Sequence, residues 1–458
     1  MNLSVIILAA GQGTRMRSDI PKVLHPLGGR SLLEHVIATA RGLEAAAVYV
    51  VIGHGGDRVR DVLADIPVRW VEQSRQLGTG HAVAQAAPSI PADHLVLVLY
   101  GDVPLISVAT LQRLIAAGEQ DALGLLAAHL VEPGGYGRII RDAQGDVIAI
   151  VEHKDASAEQ RDINEINTGM LAVGAGRLRQ WVAALDNDNS QGEFYLTDVV
   201  AMAVNEGVAV KTVYPASNTE ILGVNTKAQL AELERVYQLQ QAAQFMAQGV
   251  TLRDPARFDV RGELTVGRDV TIDVNVVCAG KVSLGNDVSI GANCYLRDVT
   301  VGDGAVIQPN SVIEEAEIGT GCRIGPFARV RPGTRLAAAV HIGNFVEIKK
   351  AAVGDGSKIN HLSYVGDATV GARVNIGAGT ITCNYDGANK HQTVIEDDVF
   401  VGSDTQLVAP VTVGAGATIG AGSTITKDTP SGELTLSRVP QQTRRGWKRP
   451  VKKTKDGK

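Results

Sequence analysis

Two short stretches near the N-terminus combine residue types that could hold a phosphorylated ligand. "LAAGQGTRM" (8–16) follows an apolar run and contains two close glycines and Arg15, and "PKVLH" (21–25) adds Lys22. Cations beside exposed backbone N–H groups suit a triphosphate. The stretch is not a dinucleotide-binding fingerprint, because Met16 replaces the third glycine, and no Gly-Lys-Ser/Thr follows as in a Walker loop. A tight structural turn is the alternative interpretation of the two glycines alone.

A carboxylate follows one of the apolar segments. "HLVLVLYGD" (94–102) is typical of a buried strand, and Asp102 comes just past its end. Open α/β sheets bind ligands outside the carboxyl ends of their strands. Because a carboxylate near phosphate groups is a typical Mg²⁺ ligand, we interpret Asp102 as a candidate metal ligand.

A second set of polar residues, in the C-terminal half, comprises Arg331, Lys349, Lys350, His361, Tyr364, Asn375 and Tyr385. The cations among them could hold a sugar phosphate. A neutral histidine near a nucleophile could take a proton from an amine, because the pKa of imidazole lies near neutral pH. A single histidine is more often structural, but His361 lies in the polar stretch "HLSYVGDA" (361–368), which favours a catalytic role.

The elements that carry the first set alternate between strands and helices. Apolar runs end near Gly or Asp, and helix-like segments lie between them, which gives strands at 4–10, 47–53, 94–102 and 123–130 and helices at 31–43 and 80–90. This alternation predicts an α/β domain with a largely parallel sheet. Residues 226–249 form one long helical pattern that ends at Gly249 and joins the two halves.

The second half is a repeat with a period of six residues. From Val266 an aliphatic residue recurs at the first position of each hexad. The spacing to the next aliphatic residue is one residue shorter at Leu296–Val301, Ile313–Ile318, Ile348–Val353 and Val365–Val370. This period predicts a β-solenoid in which three hexads form one triangular coil around aliphatic side chains. A Gly-rich low-complexity segment is the alternative. Between Ile376 and Ile395 the register breaks at "TCNYDGANKHQT" (382–393), which predicts a protruding loop of the kind that often carries a site.

The composition argues against several classes of protein. A net charge of −5 over 458 residues gives no sign of a general nucleic-acid binder, and the four cysteines form no Cys-x-x-Cys pair. The N-terminus lacks a secretion-signal pattern, and no apolar run approaches the ~18 residues of a membrane span. We therefore expect a cytoplasmic protein without nucleic-acid or membrane partners. The basic segment 444–458 is expected to be a solvated, disordered end.

Further motifs give the sequence a specific resemblance. Beside the two opening stretches, the first half contains "QLGTGHA" (76–82), "YGDVPL" (100–105), "GYGRI" (135–139), "VEHKDA" (151–156), "EINTG" (165–169) and "GVN" (223–225). The hexad region contains "NFVEIKKA" (344–351), "HLSYVGDA" (361–368), "NIGAGTITCNYDGANK" (375–390) and "FVGSDTQLVAPV" (400–411). Over nearly the whole chain, these motifs resemble the bacterial bifunctional N-acetylglucosamine-1-phosphate uridyltransferase/glucosamine-1-phosphate N-acetyltransferase family.

The resemblance implies an α/β protein with two catalytic domains. A Rossmann-like nucleotidyltransferase domain with a mostly parallel sheet would span residues 1–226, and a linker helix would span 227–249. A left-handed parallel β-helix of hexapeptide repeats would form the acetyltransferase domain at 250–440, followed by a basic tail at 441–458. In this family the prisms form homotrimers, and neighbouring prisms share each acetyltransferase site.

The resemblance also implies that the N-terminal domain condenses UTP with N-acetylglucosamine-1-phosphate and releases pyrophosphate. Asp102 and Asn225 would hold Mg²⁺, and Arg15 and Lys22 would act catalytically by neutralising the triphosphate. The residues implied to bind the substrates are Leu8, Ala9, Ala10, Gly11, Lys22, Gln73, Gly78, Thr79, Tyr100, Gly101, Asp102, Gly137, Glu152, Asn167 and Asn225. Of these, the uracil would contact residues 9–11, Gln73, Gly78 and Thr79, and the sugar would contact Gly137, Glu152 and Asn167.

For the C-terminal domain, the resemblance implies acetyl transfer from the cosubstrate acetyl-CoA to the amine of glucosamine-1-phosphate. His361 would be the general base, with Glu347 orienting it, and Asn384 would also hydrogen-bond the developing oxyanion. The residues implied to bind the amino sugar are Arg331, Lys349, Tyr364, Asn375, Asn384 and Tyr385. Those implied to line the CoA groove are Ala378, Ser403, Ala421 and Arg438.

Two other functions are compatible with parts of these patterns. The first is a single-activity sugar-nucleotide pyrophosphorylase whose β-helix only assembles the oligomer, which would not need His361, Tyr364 and the 382–390 loop together. The second is a non-enzymatic regulator of the kind that reuses both folds in translation-initiation exchange. Such a regulator would have lost Lys22, Asp102 or Asn225, and this chain keeps all three.

Overall fold

The computed structural model describes residues 2–452, so Met1 and the final part of the expected disordered tail, 453–458, lie outside the described residues. The chain divides into two compact units, residues 1–243 and 244–458. The finer division expected from the sequence, with boundaries at 226, 249 and 440, stays a prediction. No helix among residues 2–452 is both long and apolar enough to cross a membrane.

The first unit contains a nine-stranded sheet and helices on both of its faces. Its strands are β1 Leu3–Ala9, β2 Pro26–Leu27, β3 Arg30–Ser31, β4 Ala47–Ile52, β5 Arg69–Glu72, β6 Leu95–Tyr100, β7 Leu123–His129, β8 Arg138–Arg141, β9 Val147–Val151, β10 Glu165–Gly174 and β11 Val210–Val213. The helices are α1 Leu32–Arg41, α2 Gly56–Val62, α3 Thr79–Ala86, α4 Val108–Ala117, α5 Ala158–Arg161, α6 Ala175–Ala184, α7 Asp198–Asn205 and α8 Lys227–Ala247.

The sheet is mostly parallel, as expected, with the strand order β11-β7-β10-β6-β1-β4-β5. Strand β10 runs antiparallel to β6 and β7, and the β8–β9 hairpin pairs with it. Strand β1 is apolar apart from Ser4, which is buried and hydrogen-bonded to His94 Nδ1 at 2.9 Å, because both faces of the sheet are covered. Ile6 and Leu8 pack against α3 and α6, whereas Val5 and Ile7 pack against α1 and α4.

The predicted helices are confirmed with small shifts at their ends. Helix α1 begins with a capping box, in which the Ser31 hydroxyl accepts from the Glu34 N–H and the Glu34 carboxylate accepts from the Ser31 N–H. The helical pattern expected at 80–90 ends earlier, at Ala86, and continues only as a 3-10 turn at Ala87–Ser89. Pro88 explains the early end, because proline has no N–H for the helical hydrogen bond.

The second unit is a parallel β-helix. Its strands are β12 Thr251–Leu252, β13 Phe258–Val266, β14 Thr271–Ile272, β15 Val276–Leu284, β16 Ser289–Ile290, β17 Tyr295–Val301, β18 Val306–Ile307, β19 Val312–Ile318, β20 Arg323–Ile324, β21 Arg329–Val330, β22 Thr334–Leu336, β23 His341–Asn344, β24 Glu347–Val353, β25 Lys358–His361, β26 Tyr364–Val370, β27 Asn375–Ile376, β28 Ile381–Cys383, β29 Thr393–Ile395, β30 Phe400–Val401, β31 Gln406–Val408, β32 Val411–Val413, β33 Thr418–Ile419, β34 Thr424–Ile425 and β35 Leu434–Thr435.

The hexad register becomes a stack of coils with an aliphatic interior. One interior column contains Ile272, Ile290, Ile307, Ile324, Ile342, Ile359, Ile376, Val401 and Ile419, each paired with the next in parallel register. All of these side chains are buried. The low-complexity alternative is therefore wrong, because the repeated aliphatic residues form a continuous core.

The hexads that are one residue short coincide with tight corners of the coils. Asp298, Glu315, Lys350 and Asp367 each lie inside a strand at one of these shortened hexads, with φ between 46° and 54°. At each shortened hexad, a residue with a left-handed backbone conformation therefore turns the chain. The break predicted at 382–393 is confirmed with small shifts at its ends, because β28 keeps its ladder with β26 and β31 and residues 384–392 leave the coil.

Candidate active sites

A cavity of about 430 Å³ lies at the carboxyl ends of β1 and β6 in the first unit. Ten of the residues implied by the sequence line it: Leu8, Ala9, Ala10, Gly11, Lys22, Gln73, Gly78, Thr79, Tyr100 and Asp102. It is also lined by Gln12, Gln76 and Glu193, which the sequence did not indicate. The cavity lies where open α/β sheets bind ligands.

The loop after β1 is shaped by its two glycines. Gly13 has φ +63°, and a Cβ at this position would lie 2.7 Å from the Cβ of Lys22. Only glycine therefore allows this close approach to the 21–25 stretch. Gly11 lines the cavity, and a Cβ there would meet no protein atom within 4 Å. The glycines thus bring Lys22 to the cavity and leave space beside the backbone.

Lys22, Asp102 and Asn225 meet in this unit. The Lys22 ammonium forms an ion pair with Asp102 Oδ2 and donates to Asn225 Oδ1 at 3.1 Å. The Asn225 loop is anchored by the Val224 N–H, which donates to the Asp102 carbonyl at 3.0 Å. The Lys22 and Asp102 side chains are only 14% and 16% exposed, so solvent screens the pair weakly.

The donor set of this cluster fits Mg²⁺. A carboxylate oxygen and an amide oxygen already converge on one cation, the Lys22 ammonium, and oxygen ligands are what Mg²⁺ prefers. Within residues 2–452 no group of three or more His, Cys, Asp or Glu side chains could hold a metal. A divalent ion at Asp102 and Asn225 would therefore complete its shell with substrate oxygens and water.

The residues implied to bind the sugar also come together. The Gly137 carbonyl accepts from the Asn167 N–H at 2.9 Å, and a Cβ on Gly137 would lie 3.5 Å from Glu152 Oε2. Glu152 Oε1 accepts from the Thr197 hydroxyl at 3.2 Å. These contacts bring β10, the β8–β9 hairpin and α7 to one point.

Arg15 lies apart from the Lys22 cluster. It lines a second cavity of about 430 Å³ together with Gly135, Glu152, His153, Lys154 and Gln191. Arg15 is therefore beside the sugar-side carboxylate Glu152, and it does not line the cavity of Lys22 and Asp102. Its predicted contact with the triphosphate stays a prediction.

Burial raises the pKa values of two side chains near these groups. Burial raises the pKa of the Tyr100 hydroxyl, and the nearby Glu152 and Asp102 carboxylates add to the effect. Burial likewise raises the pKa of Glu152, although the hydrogen bond from Thr197 opposes the shift. Tyr100 therefore remains a hydrogen-bond donor at neutral pH, and Glu152 gains a proton more readily than a solvated carboxylate.

This shift predicts a pH-dependent effect of Glu152→Gln. Since the folded-state pKa is raised, ionised Glu152 opposes folding above that pKa, and the penalty is absent below the unfolded value of about 4.3. The Gln variant should show a small rise in the thermal midpoint of the first unit at pH 7.5 and no rise at pH 4. Thermal melts of this variant and of Glu159→Gln, on the exposed side of α5, test it. A lower midpoint for Glu152→Gln at pH 7.5 would contradict the prediction.

In the second unit, successive coils place His361 and three of the residues implied to bind CoA in one row. The row comprises Asn344, His361, Ala378, Ser403 and Ala421. The backbone carbonyl of each of these row residues accepts a hydrogen bond from the residue directly after the next row member. The His361 carbonyl accepts from the Gly379 N–H at 3.3 Å, the Ala378 carbonyl from the Asp404 N–H at 2.7 Å, and the Ser403 carbonyl from the Gly422 N–H at 2.8 Å. Arg438 Nη1 donates to the Ala421 carbonyl at 2.8 Å. The candidate base and the four residues implied for CoA thus share one edge of the prism.

His361 is oriented by Asn344, which the sequence analysis missed. His361 Nδ1 lies 3.0 Å from Asn344 Oδ1. Because an amide oxygen only accepts, this contact places the proton on Nδ1 and leaves Nε2 free to accept another. The structure shows no hydrogen bond between Glu347 and His361, so the orienting role expected of Glu347 stays a prediction. Glu347 pairs with Tyr364 across the coils and binds Arg331 Nη1 at 2.7 Å, on the other side of the corner at Leu362.

A polar cluster lies beside this corner. Lys349 Nζ is 3.7 Å from Asp367 Oδ2, and the Asn384 amide donates to Asp367 Oδ2 and, at 3.5 Å, to the Tyr364 hydroxyl. The neighbouring Lys390 side chain lowers the pKa of Lys349. Asp367 and Lys390 were not indicated by the sequence. Because the two N–H donors of the Asn384 amide are engaged by Asp367 and Tyr364, the oxyanion contact expected of Asn384 requires one of these hydrogen bonds to be exchanged.

The remaining predicted residues lie on adjoining elements. Asn375 is on β27 in register with Lys358 and Phe400, and Lys350 forms the left-handed corner of β24. Tyr385 lies in the protruding loop, where its hydroxyl donates to the Gly387 carbonyl at 2.6 Å and Lys390 Nζ lies 5.8 Å from its ring centre. The loop is closed by Asp386, which accepts from the Asn389 and Ala388 N–H groups and from His391 Nε2.

Both halves of the chain match models of known families. A MobA-like NTP transferase domain matches residues 5–191, a GMPPB C-terminal domain matches 260–353, and bacterial transferase hexapeptide repeats match 392–427. Among solved structures, a nucleotidyl transferase from Methanothermobacter thermautotroptrophicus is 20% identical with a TM-score of 0.38, covering 52% of this chain and 97% of its own. A UDP-glucose pyrophosphorylase complexed with UDP-glucose is 15% identical with a TM-score of 0.44, covering 52% and 98%.

These structural similarities are too low to support an assignment, whereas the sequence similarity to a curated relative is high. The "Bifunctional protein GlmU" of Marinobacter nauticus is 60% identical over 450 residues, which cover 98% of this chain and 99% of that protein. The match includes both units in the same order, and it confirms the resemblance found in the sequence. This chain therefore belongs to the bifunctional GlmU family.

Proposed function

We propose that this chain catalyses two successive reactions. The second unit transfers an acetyl group from acetyl-CoA to the amine of glucosamine-1-phosphate, and the first unit transfers a uridylyl group from UTP to the resulting N-acetylglucosamine-1-phosphate. The observation that carries the proposal is the presence of two separate sites in one chain. One is the cavity with Lys22, Asp102 and Asn225, and the other is the row with Asn344 and His361.

In the site of the first unit, a phosphate oxygen of the sugar phosphate attacks the α-phosphorus of UTP, and pyrophosphate leaves with the electrons of the broken P–O bond. Such transfers depend on positioning and charge neutralisation rather than on covalent catalysis. Lys22 supplies a positive charge at the phosphates, and Arg15 supplies another from the neighbouring cavity. Mg²⁺ held by Asp102 and Asn225 supplies further charge neutralisation when bound.

The remaining residues of this site bind and orient the two substrates. The uridine lies against the Ala9–Gly11 backbone between Leu8 and the start of α3, where Gln73, Gly78 and Thr79 line the cavity. Gln73 is held in place because its amide donates to the Gly78 carbonyl at 3.1 Å and to His81 Nδ1 at 2.9 Å. The sugar lies against Gly137, Glu152 and Asn167, with Tyr100 between the two substrates.

In the site of the second unit, His361 Nε2 accepts a proton from the amine of glucosamine-1-phosphate. The amine nitrogen attacks the thioester carbonyl, the C–S bond breaks, and the leaving sulfur of CoA takes the proton from His361 to become a thiol. Asn344 keeps the imidazole in the tautomer that this step needs. Arg331, Lys349, Tyr364, Asn375, Asn384 and Tyr385 hold the sugar phosphate. The small side chains of Ala378, Ser403 and Ala421 leave space for CoA along the row. Arg438 lies at the end of the row, next to Ala421.

We further propose that the chain forms a homotrimer. Phe327, Phe345 and Leu362 form an exposed apolar stack on one corner of the prism, beside His361. They are 50%, 56% and 64% exposed, and the two phenyl rings stack at 5.4 Å. All three have φ between 49° and 57°, a backbone conformation that is costly for bulky residues.

A second copy of the prism would cover this stack, and the threefold symmetry expected from the family would cover all copies equally. Sedimentation equilibrium of the full chain should give three chain masses. A single chain mass at micromolar concentration would contradict the trimer.

The two half-reactions test the proposed function separately. Purified protein with UTP, N-acetylglucosamine-1-phosphate and Mg²⁺ should release pyrophosphate, and protein with acetyl-CoA and glucosamine-1-phosphate should release CoA. Pyrophosphate release without CoA release would favour the single-activity pyrophosphorylase with a structural β-helix. The position of the His361–Asn344 pair in the row argues against that alternative.

A further inference from the structure

Arg138 is a buried cation that the proposed mechanism does not use. The residue is 1% exposed, and no carboxylate among residues 2–452 pairs with it. Its guanidinium donates to the Tyr136 carbonyl through Nη1 and to the Arg161 carbonyl at 3.2 Å through Nη2, while Nε has no partner in the described chain. Burial lowers the pKa of Arg138, and Arg161 adds to the effect. Burying a guanidinium without an acidic partner is costly, so the position needs a compensating role.

The Tyr136 carbonyl belongs to the same peptide unit as the Gly137 N–H. In a planar trans peptide, the C=O and N–H bonds point in opposite directions. By holding the Tyr136 carbonyl on the interior side, Arg138 therefore directs the Gly137 N–H the other way. The Gly137 carbonyl is also fixed, because it accepts from the Asn167 N–H at 2.9 Å. Both peptide units around Gly137 are thus held by the protein.

The Gly137 N–H itself is left without a protein partner. Gly137 is buried, and no acceptor within residues 2–452 receives its N–H. Buried backbone donors are almost always paired, and an unpaired one is costly. The group lies at the implied sugar site, because the Cβ position of Gly137 is 3.5 Å from Glu152 Oε2. A ligand oxygen at this place would satisfy the donor.

We propose that Arg138 is a positioning residue for the acceptor substrate: it fixes the Tyr136–Gly137 peptide so that the Gly137 N–H donates to an oxygen of the bound sugar. The inference rests on the proposed uridylyl transfer and adds a residue that does not touch the substrate. Arginine suits the position because its planar fork reaches two carbonyls, one before β8 and one at the end of α5. A lysine ammonium is a single point charge and would hold this arrangement less well.

The test compares three variants of the full chain in the UTP-dependent reaction. Arg138→Met removes the donors at similar volume, and Arg138→Lys keeps the charge. Arg179→Met is a matched control, because the Arg179 guanidinium also donates to two carbonyls, those of Ala87 and Ile90, and also has an unpartnered buried Nε. The KM for N-acetylglucosamine-1-phosphate, the KM for UTP, kcat and the thermal midpoint are measured for each.

Arg138→Met should raise the KM for the sugar phosphate about tenfold, the size of one substrate hydrogen bond, with little change in the KM for UTP. Arg138→Lys should show a smaller rise, and Arg179→Met should alter only the midpoint. Equal changes in both KM values, or none in either Arg138 variant, would overturn the inference. If Arg138→Met does not fold, Arg138→Lys alone decides between these outcomes. A wild-type protein that does not turn over UTP and the sugar phosphate would instead refute the proposed function.

Discussion

Asp102→Asn is expected to lower the rate of uridylyl transfer by about a thousandfold, because loss of a charged metal ligand removes several kcal/mol of charge stabilisation. The asparagine keeps the shape of the side chain and one acceptor oxygen, so the cavity should persist. The variant removes the negative charge that now pairs with Lys22 and that would hold Mg²⁺. Pyrophosphate release at saturating UTP and sugar phosphate measures the effect.

The acetyl transfer of the same variant provides an internal reference. CoA release by Asp102→Asn should equal that of the wild type, because Asp102 lies in the first unit and His361 in the second. Asp142→Asn is the matched control, since this carboxylate only accepts from the Gln144 and Asp146 N–H groups in the β8–β9 turn. A loss of less than tenfold for Asp102→Asn, or an equal loss of both activities, would contradict the role of Asp102.

His361→Ala is expected to slow acetyl transfer by about 10²–10⁴-fold, the usual contribution of a positioned general base. Uridylyl transfer from added N-acetylglucosamine-1-phosphate should continue at the wild-type rate. Asn344→Ala should reduce acetyl transfer by about tenfold or more, because the imidazole loses the acceptor that selects its tautomer. CoA release measures both effects.

A second histidine of the same prism serves as the control for this experiment. His341 lies on β23 in register with Arg323 and Lys358, outside the row that contains His361. His341→Asn should retain most of the acetyl transfer. If His361→Ala and His341→Asn behave alike, or if Asn344→Ala has no effect on CoA release, the assignment of His361 as an oriented base fails.

Much of the fold follows from periodicity in the sequence. The apolar runs at 4–10 and 94–102 predict buried central strands because both of their faces must be covered, and the hexad pattern predicts the interior column through Ile272 and Ile359. The antiparallel strand β10 could not be foreseen. Strand direction depends on the connections between elements, and β10 begins with polar residues such as Glu165, Asn167 and Thr168, so it lacks the continuous apolar run of the central parallel strands.

The partners of the site residues were harder to predict because they come from different coils and loops. The family resemblance suggested Glu347 for His361, whereas the structure pairs Glu347 with Arg331 and His361 with Asn344. The length of one coil would have identified Asn344. Asn344 pairs with His361 in the parallel register of β23 and β25, so it lies one full coil earlier in the chain. The carbonyl contacts of Arg138 leave no pattern in the sequence, since backbone acceptors do not depend on residue type.

One coupled experiment tests the central claim that both sites operate in one chain. The wild-type protein is incubated with glucosamine-1-phosphate, isotopically labelled acetyl-CoA, UTP and Mg²⁺, and the products are identified by mass spectrometry. The account predicts UDP-N-acetylglucosamine that carries the labelled acetyl group, together with pyrophosphate and CoA in equal amounts. A protein that consumes UTP only when the sugar is already acetylated, and never uses acetyl-CoA, would contradict it.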